Sequence, residues 1–263
     1  MPPSLRTTTI SAALLVLLFY VGLILSLGYF FSPSGLTSLW ESERIRFTVR
    51  ISLAAATLAT ALALVIAVPA GYALSRYSFR WRITADTILE LPIIVSPAAL
   101  GAMLLIFFNN PLGQWIQEHF VYFVFSFAGV VLAQFTTVLG LATRFVKTAL
   151  DEVPVEFERV ALSLGADPAK VFFTVSLPLA RRGLLTAFVL CWAKAVGEFG
   201  ATFTVAGSMA MRTETLPIAI YLRLATAQIE SAVSLILLLL TIGLGALFGV
   251  RLLGARLFYH AER

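Results

Sequence analysis

The chain has 263 residues, of which 59% are hydrophobic and only 13% charged, with a mean hydropathy of +0.93. Soluble globular domains carry about a quarter charged residues, so this composition excludes a soluble domain and requires membrane lipid around much of the surface. The net charge of +5 does not call for nucleic acid, because membrane proteins gather Lys and Arg in their cytoplasmic segments and no Lys/Arg run with interleaved aromatics is present.

The predicted fold class is all-α, a polytopic membrane protein with six spans at approximately Ile10–Phe31, Ile51–Ser75, Ile88–Phe108, Phe120–Thr143, Gly183–Phe203 and Ala232–Val250. Each is long enough to cross about 30 Å of hydrocarbon at about 1.5 Å per residue. The first follows Arg6 but is too long for a signal-peptide core, and no small-residue cleavage site closes it. Without an internal repeat or polar linker, a single transmembrane domain over 1–263 is expected. Pro69 in the second span, and Pro92 and Pro97 in the third, predict bends, because proline removes a backbone donor and disturbs the preceding turn.

Basic residues set the orientation. If the N-terminus is cytoplasmic, the inner segments hold Arg6, the Arg76–Arg82 group, the Arg144–Arg182 group, and Arg251, Arg256 and Arg263. The outer segments then hold Arg44, Arg46, Arg50, Arg212 and Arg223. This distribution predicts that both termini are cytoplasmic.

Several chemistries are unsupported. The three lysines, Lys147, Lys170 and Lys194, do not follow glycines, so no Gly-Lys-Ser/Thr phosphate loop exists. The single cysteine, Cys191, reads as a small core residue, and His119 and His260 are far apart, so no Cys/His metal cluster is expected. No cluster of His, Asp or Ser within the spans suggests a membrane enzyme. The expectation is no catalytic residue, no metal and no cofactor.

Between the fourth and fifth spans lies a long stretch, Asp151 to Arg182, that reads as helix, turn, helix. Gly165 suits the left-handed end of the first helix, Asp167 can cap the second, and Pro168 fits its first position, where no amide donor is needed. Pro178 then redirects the chain into the fifth span. Such an elbow presents a rigid surface to a cytosolic partner; the alternative is an ordinary polar loop. A channel would not need it.

This segment resembles the EAA loop of ABC importer permeases, whose pattern is Glu-Ala-Ala, three residues, Gly, nine residues, then Ile-x-Leu-Pro. Gly165 and Val175-Ser176-Leu177-Pro178 fall at that spacing. Arg159, Val160 and Ala161 occupy the Glu-Ala-Ala positions, with Glu158 one position earlier. A second segment, Trp192 to Thr202 with Gly197-Glu198-Phe199-Gly200-Ala201, continues through Ala206-Gly207-Ser208 to Thr213-Glu214-Thr215-Leu216-Pro217. It resembles the fifth span and following external loop of molybdate, tungstate and sulfate permeases; Lys194 and the Thr-x-Thr-Leu-Pro stretch lean towards molybdate.

The resemblance implies the type I ABC importer permease fold and a non-catalytic subunit in the cell membrane of a prokaryote. The cargo would be a tetrahedral oxyanion, molybdate or tungstate, with sulfate or thiosulfate as the alternative. The implied partners are a second copy of the chain, two cytosolic ATPase subunits and an external binding protein. Glu158, Arg159, Ala161, Leu164, Gly165, Ala166 and Pro168 would couple to the ATPase. Lys194, Glu198, Phe199 and Thr202 would line the translocation path or gate. Lys194 and Glu198 stand one helical turn apart, so they are either a self-neutralising structural pair or path residues. Ser96, Thr202 and Thr204 can line a polar route or bond to their own helices.

Overall fold

The computed structural model describes residues 3–32 and 41–259; His260 and Arg263 lie outside them. Among these residues the chain is helical with no strand. In chain order the helices are α1 (Pro3–Ser26), α2 (Glu43–Arg76), α3 (Arg82–Leu89), α4 (Leu91–Ile94), α5 (Pro97–Asn109), α6 (Pro111–His119), α7 (Phe127–Asp151), α8 (Val155–Ser163), α9 (Pro168–Val171), α10 (Leu177–Val196), α11 (Gly200–Ala206), α12 (Leu216–Ala225) and α13 (Ile229–Tyr259). Five helical runs are long and apolar enough to cross a membrane, and a sixth crossing arises if the bent α3–α5 stretch counts as one.

The core is built by α2, α7 and α10. Ala55, Ala59, Ala63, Ala67 and Gly71 recur every fourth residue on α2, which puts them on one buried face. This stripe meets Val138, Ala142 and Val146 of α7, while Ala187, Cys191 and Ala195 of α10 close the third side. Lipid gives little hydrophobic drive for helix association, so close approach of small residues and dispersion contacts hold such helices together. A Cβ at Gly71 would stand 2.7 Å from Val146 Cγ1. Cys191 is fully buried in this core, as its apolar surroundings suggested. In contrast, α1 is exposed along its whole described length.

The spans differ from the sequence expectation in informative places. The third is broken: residues Arg82–Ile94 and Pro97–Asn109 meet at 110°. Pro97 opens α5 and Ser96 caps it by accepting from Ala99 N–H at 3.3 Å, so the bend falls at one of the two predicted prolines. Pro69, by contrast, lies within an uninterrupted helix. Packing of α2 along α7 on both sides of Pro69 outweighs one lost backbone bond. The fourth span starts at Phe127 and runs on to Asp151, because Ser126 caps it through Gly129 N–H. Pro178 does not turn the chain, since Pro168–Val196 forms one helical run. Its Phe172–Ser176 stretch loosens to π geometry, absorbing the donor that Pro178 lacks. The fifth span does not reach Phe203 unbroken: α10 ends at Val196 and α11 begins at Gly200.

Gly140 of α7 passes so close to the α3–α4 junction that an added Cβ would press on the Leu89 carbonyl oxygen. Gly243 of α13 has open space around it. Gly140→Ala should therefore lose about 1–3 kcal/mol through overpacking, whereas Gly243→Ala should be neutral or slightly stabilising. Thermal unfolding of the two variants in one detergent measures the difference.

Candidate functional site: the helical elbow and the broken fifth span

The elbow folds as its residues dictate. At the end of α8, Gly165 takes φ +86°. The Gly165 N–H bonds to Leu162 O at 3.0 Å and the Ala166 N–H to Ala161 O at 3.1 Å, which satisfies the last carbonyls of the helix. Asp167 caps α9 by accepting from Ala169 N–H at 3.0 Å, and Pro168 occupies the first helical position. Phe157, Val160, Leu162, Leu164 and Phe173 are exposed, Leu164 at 82%. Arg159 and Pro168 are exposed beside them, and Ala161 and Ala166 are half-buried.

Glu158 points the other way. It is 6% exposed and its Oε1 accepts from Arg76 Nε and Ser176 Oγ, both at 2.9 Å. Sequence reading had Arg76 as a loop charge on the cytoplasmic side. In the fold its side chain is 8% exposed, and its second terminal nitrogen donates to Leu150 O and Val153 O at 2.9 and 2.8 Å.

The break in the fifth span is stabilised from inside. Glu198 Oε1 accepts from Ala201 N–H at 3.1 Å, supplying a partner to the start of α11, and Oε2 accepts from Lys194 Nζ at 2.9 Å. The carboxylate side chain is 1% exposed while that of Lys194 is 47% exposed. The pair is thus formed, as one-turn spacing required, but it is asymmetric. The acid is a buried brace and the ammonium keeps part of its surface open. Thr202 is fully buried, and its Oγ1 has no hydrogen-bond partner in the protein. Phe199 stacks on Phe203 at 5.5 Å and tilts against Tyr221 of α12 at 5.1 Å. Ser96 and Thr204 are both engaged by their own helices, Thr204 through Gly200 O at 2.7 Å.

The break and the bend fit together. A Cβ on Gly200 would lie 2.9 Å from Ala98 N, and one on Gly101 would lie 2.8 Å from Thr204 Cβ. So α11 nests against α5 through two glycines that sequence reading did not connect. The segment after α11 folds back as well: Thr213, Glu214, Thr215 and Leu216 are all buried. Glu214 Oε2 pairs with Arg44 at 2.8 Å, and Leu216 N–H donates to Ser52 Oγ at 2.8 Å. Arg44 and Glu214 are 170 positions apart, so no local pattern could reveal the pair. Among the described residues no group of three or more His, Cys, Asp or Glu side chains is arranged to hold a metal ion.

A helical membrane domain with a protruding helix–turn–helix and broken spans is the architecture of an importer permease, and the comparisons with known proteins agree. The family described as "Binding-protein-dependent transport system inner membrane component" matches residues 63–259, three quarters of the chain, and the chain belongs to it. It is a permease subunit of an ABC importer, a non-catalytic membrane protein whose ATPase is a separate subunit.

Within that family it is similar to molybdenum permeases. The "Probable molybdenum ABC transporter permease protein" of Haloferax volcanii is 35% identical over 97% of this chain and 92% of that protein. The "Molybdenum transport system permease protein ModB" of Escherichia coli is 34% identical over 70% of this chain and 81% of its own. The sulfate transport system permease protein CysW of Synechocystis is 32% identical over 70% of this chain and 67% of that one. For fold alone, a bacterial alginate ABC transporter solved with its pentasaccharide-bound periplasmic protein aligns with a TM-score of 0.71 at 16% identity, over 96% of this chain and 94% of that chain.

The asymmetry of the Lys194–Glu198 pair makes a directional prediction. Lys194→Met strands a buried carboxylate, whereas Glu198→Gln leaves a lysine with half of its side-chain surface uncovered. The first should cost about 2 kcal/mol or more, the second less, and the double variant should recover most of the loss. Thermal unfolding in detergent of the two singles and the double gives the ordering; equal losses for the singles would contradict it.

Proposed function

We propose that this chain forms the translocation path of an ATP-driven importer of molybdate or tungstate, working as a homodimer with two cytosolic ATPase subunits and an external binding protein. The observation that carries this reading is similarity over nearly the whole chain to a protein named as a molybdenum permease, together with an elbow that exposes Phe157, Val160, Leu162 and Leu164. The whole chain acts as one transmembrane domain in the cell membrane of a prokaryote, and the elbow, about residues 151–182, is its coupling loop.

On this reading Phe157, Val160 and Leu164 provide apolar area for the ATPase, with Arg159 as a charged contact beside them. Gly165, Asp167 and Pro168 hold the two short helices at a fixed angle, and Ala161 and Ala166 keep the turn compact. ATP-driven closure of the ATPases displaces the elbows, and their differential contact with the two ATPase states supplies the work. The end of α2 that bears Arg76 lies in the cytoplasm, where the basic segments collect. Lys194, Glu198, Phe199 and Thr202 stand at the path or its gate. A divalent oxyanion meets a neutral ion pair there instead of a bare acid, and Lys194 is the member with open surface to attract it.

A sulfate importer is the second reading, supported by the 32% identity to a sulfate permease. Molybdate, tungstate and sulfate are all tetrahedral dianions, so uptake has to be compared directly. Cells whose own molybdate uptake is deleted, expressing this permease with its cognate ATPase and binding protein, should accumulate molybdate. Tungstate should compete more strongly than sulfate. Preferential sulfate uptake would replace the molybdate reading.

Coupling has its own test. Apart from its chain neighbours, no heavy atom lies within 4 Å of a Cβ built on Gly165, so Gly165→Val acts through backbone conformation and not through a clash with the rest of the fold. The variant should insert into the membrane normally but lose ATPase association or transport-coupled hydrolysis; unchanged coupling in a folded variant would remove the elbow from the transmission route. Topology is checked with reporters, expected to be cytoplasmic after Arg263 and external near Gln117.

A further inference from the structure

The 34 residues of α2 make a rod about 50 Å long, against about 30 Å of hydrocarbon. Its two ends therefore stand on opposite sides of the membrane, and each end holds a buried carboxylate from another part of the chain. At the Arg76 end this is Glu158 of the elbow, which also accepts from Ser176 and faces Tyr72 OH at 3.4 Å. The same guanidinium bonds to carbonyls at the end of α7. Four segments thus meet at one arginine: α2, the end of α7, α8 and the π turn before α10. At the other end Glu214 pairs with Arg44, and Ser52 receives the first N–H of α12. Between the ends, the alanine stripe packs α2 along α7, so the rod has little freedom to bend.

We propose that α2 is a strut carrying both the elbow and the 207–215 loop, with Glu158 and Glu214 as the positioning residues that lock each segment to it. Displacement of the elbow on one face of the membrane is thereby delivered to the loop on the other. Glu158 acts from behind the docking surface: it fixes the angle at which Phe157, Val160 and Leu164 are presented and touches no partner itself. The inference rests on the importer reading, in which the elbow meets the ATPase and the loop faces the binding protein. Removing one partner of a buried ion pair leaves the other charge uncompensated, so each lock can be opened separately. A shared element that both sites bias is the physical requirement for coupling between them.

The locks are tested first on the permease alone in detergent, by amide hydrogen exchange. Glu158→Gln should speed exchange over residues 157–166, and Glu214→Gln over 209–216, each by about tenfold or more. Unchanged exchange at either segment overturns that lock. Should Glu214→Gln fail to fold, the double variant Arg44→Gln/Glu214→Gln opens the same lock without leaving either charge alone.

Transmission is tested in vesicles of Escherichia coli lipid holding the permease with its ATPase. The readout is the factor by which molybdate-loaded binding protein raises ATP hydrolysis over the basal rate. Each single variant should lose about tenfold in this factor, and the double Glu158→Gln/Glu214→Gln should lose no more than the worse single, because a strut cut at one end already transmits nothing. Multiplying losses in the double, or stimulation like wild type in the singles, overturns the strut. A wild-type permease that binds no ATPase would overturn the importer reading and the strut's role with it, while the exchange experiment still decides whether the two locks exist.

Discussion

A helix end buried in a protein or a membrane must find partners for its free backbone groups from the protein itself, because no water reaches it. One carboxylate does this directly here, and two others hold the residues around helix ends. Among the described residues Glu158, Glu198 and Glu214 are buried, and each lies at a place where helical backbone is interrupted. Glu198 takes the N–H of Ala201 where the fifth span breaks. Glu158 engages the arginine that bonds Leu150 O near the end of α7 and Val153 O just beyond it. Glu214 precedes α12, whose first N–H goes to Ser52. Each acid is matched by a base, Lys194, Arg76 and Arg44 respectively, so that charge is neutralised where water is scarce. A buried ion pair gives little net stability over an apolar replacement. Its value here is geometric, since it fixes where irregular backbone is allowed.

The small-residue core supplies the complementary rigidity. With alanine and glycine at the α2–α7 contact, two helices approach closely enough that dispersion and shape resist sliding. The glycines at 101 and 200 do the same for α5 and α11. A permease must change shape between two states, and packed interfaces of this kind favour discrete arrangements over continuous deformation. The long exposed apolar surface of α1 contrasts with this core and is suited to lipid or to a neighbouring subunit.

Much of the architecture was legible in the chain itself. Hydropathy located the five apolar helices long enough to span and the bent pair among the described residues, because an apolar run of about twenty residues has few alternatives to a membrane helix. The elbow was readable from Gly165, Asp167 and Pro168, since left-handed backbone, side-chain capping and a missing donor are local properties of single residues. The Lys194–Glu198 pair followed from spacing on one helix. Span ends were less legible: the run from Phe120 looked continuous, yet Ser126 starts the helix at Phe127, and the mostly exposed apolar residues before it form an irregular turn that hydropathy cannot distinguish from a helix.

What the sequence by itself determined, then, was the long apolar helices, the turn chemistry of the elbow and the neutral pair in the fifth span, because each is set by residues within a few positions of one another. Tertiary structure alone decided which way Glu158 faces, since an exposed or buried side of an eight- or nine-residue helix depends on what it packs against. It alone brought Glu214 to Arg44 and Gly200 to Ala98, contacts between segments far apart in the chain. It also decided that Pro97 stands at a break in the helix while Pro69 lies within a continuous one: a proline weakens the helix at either place, and the neighbouring helix determines whether the weakness is used.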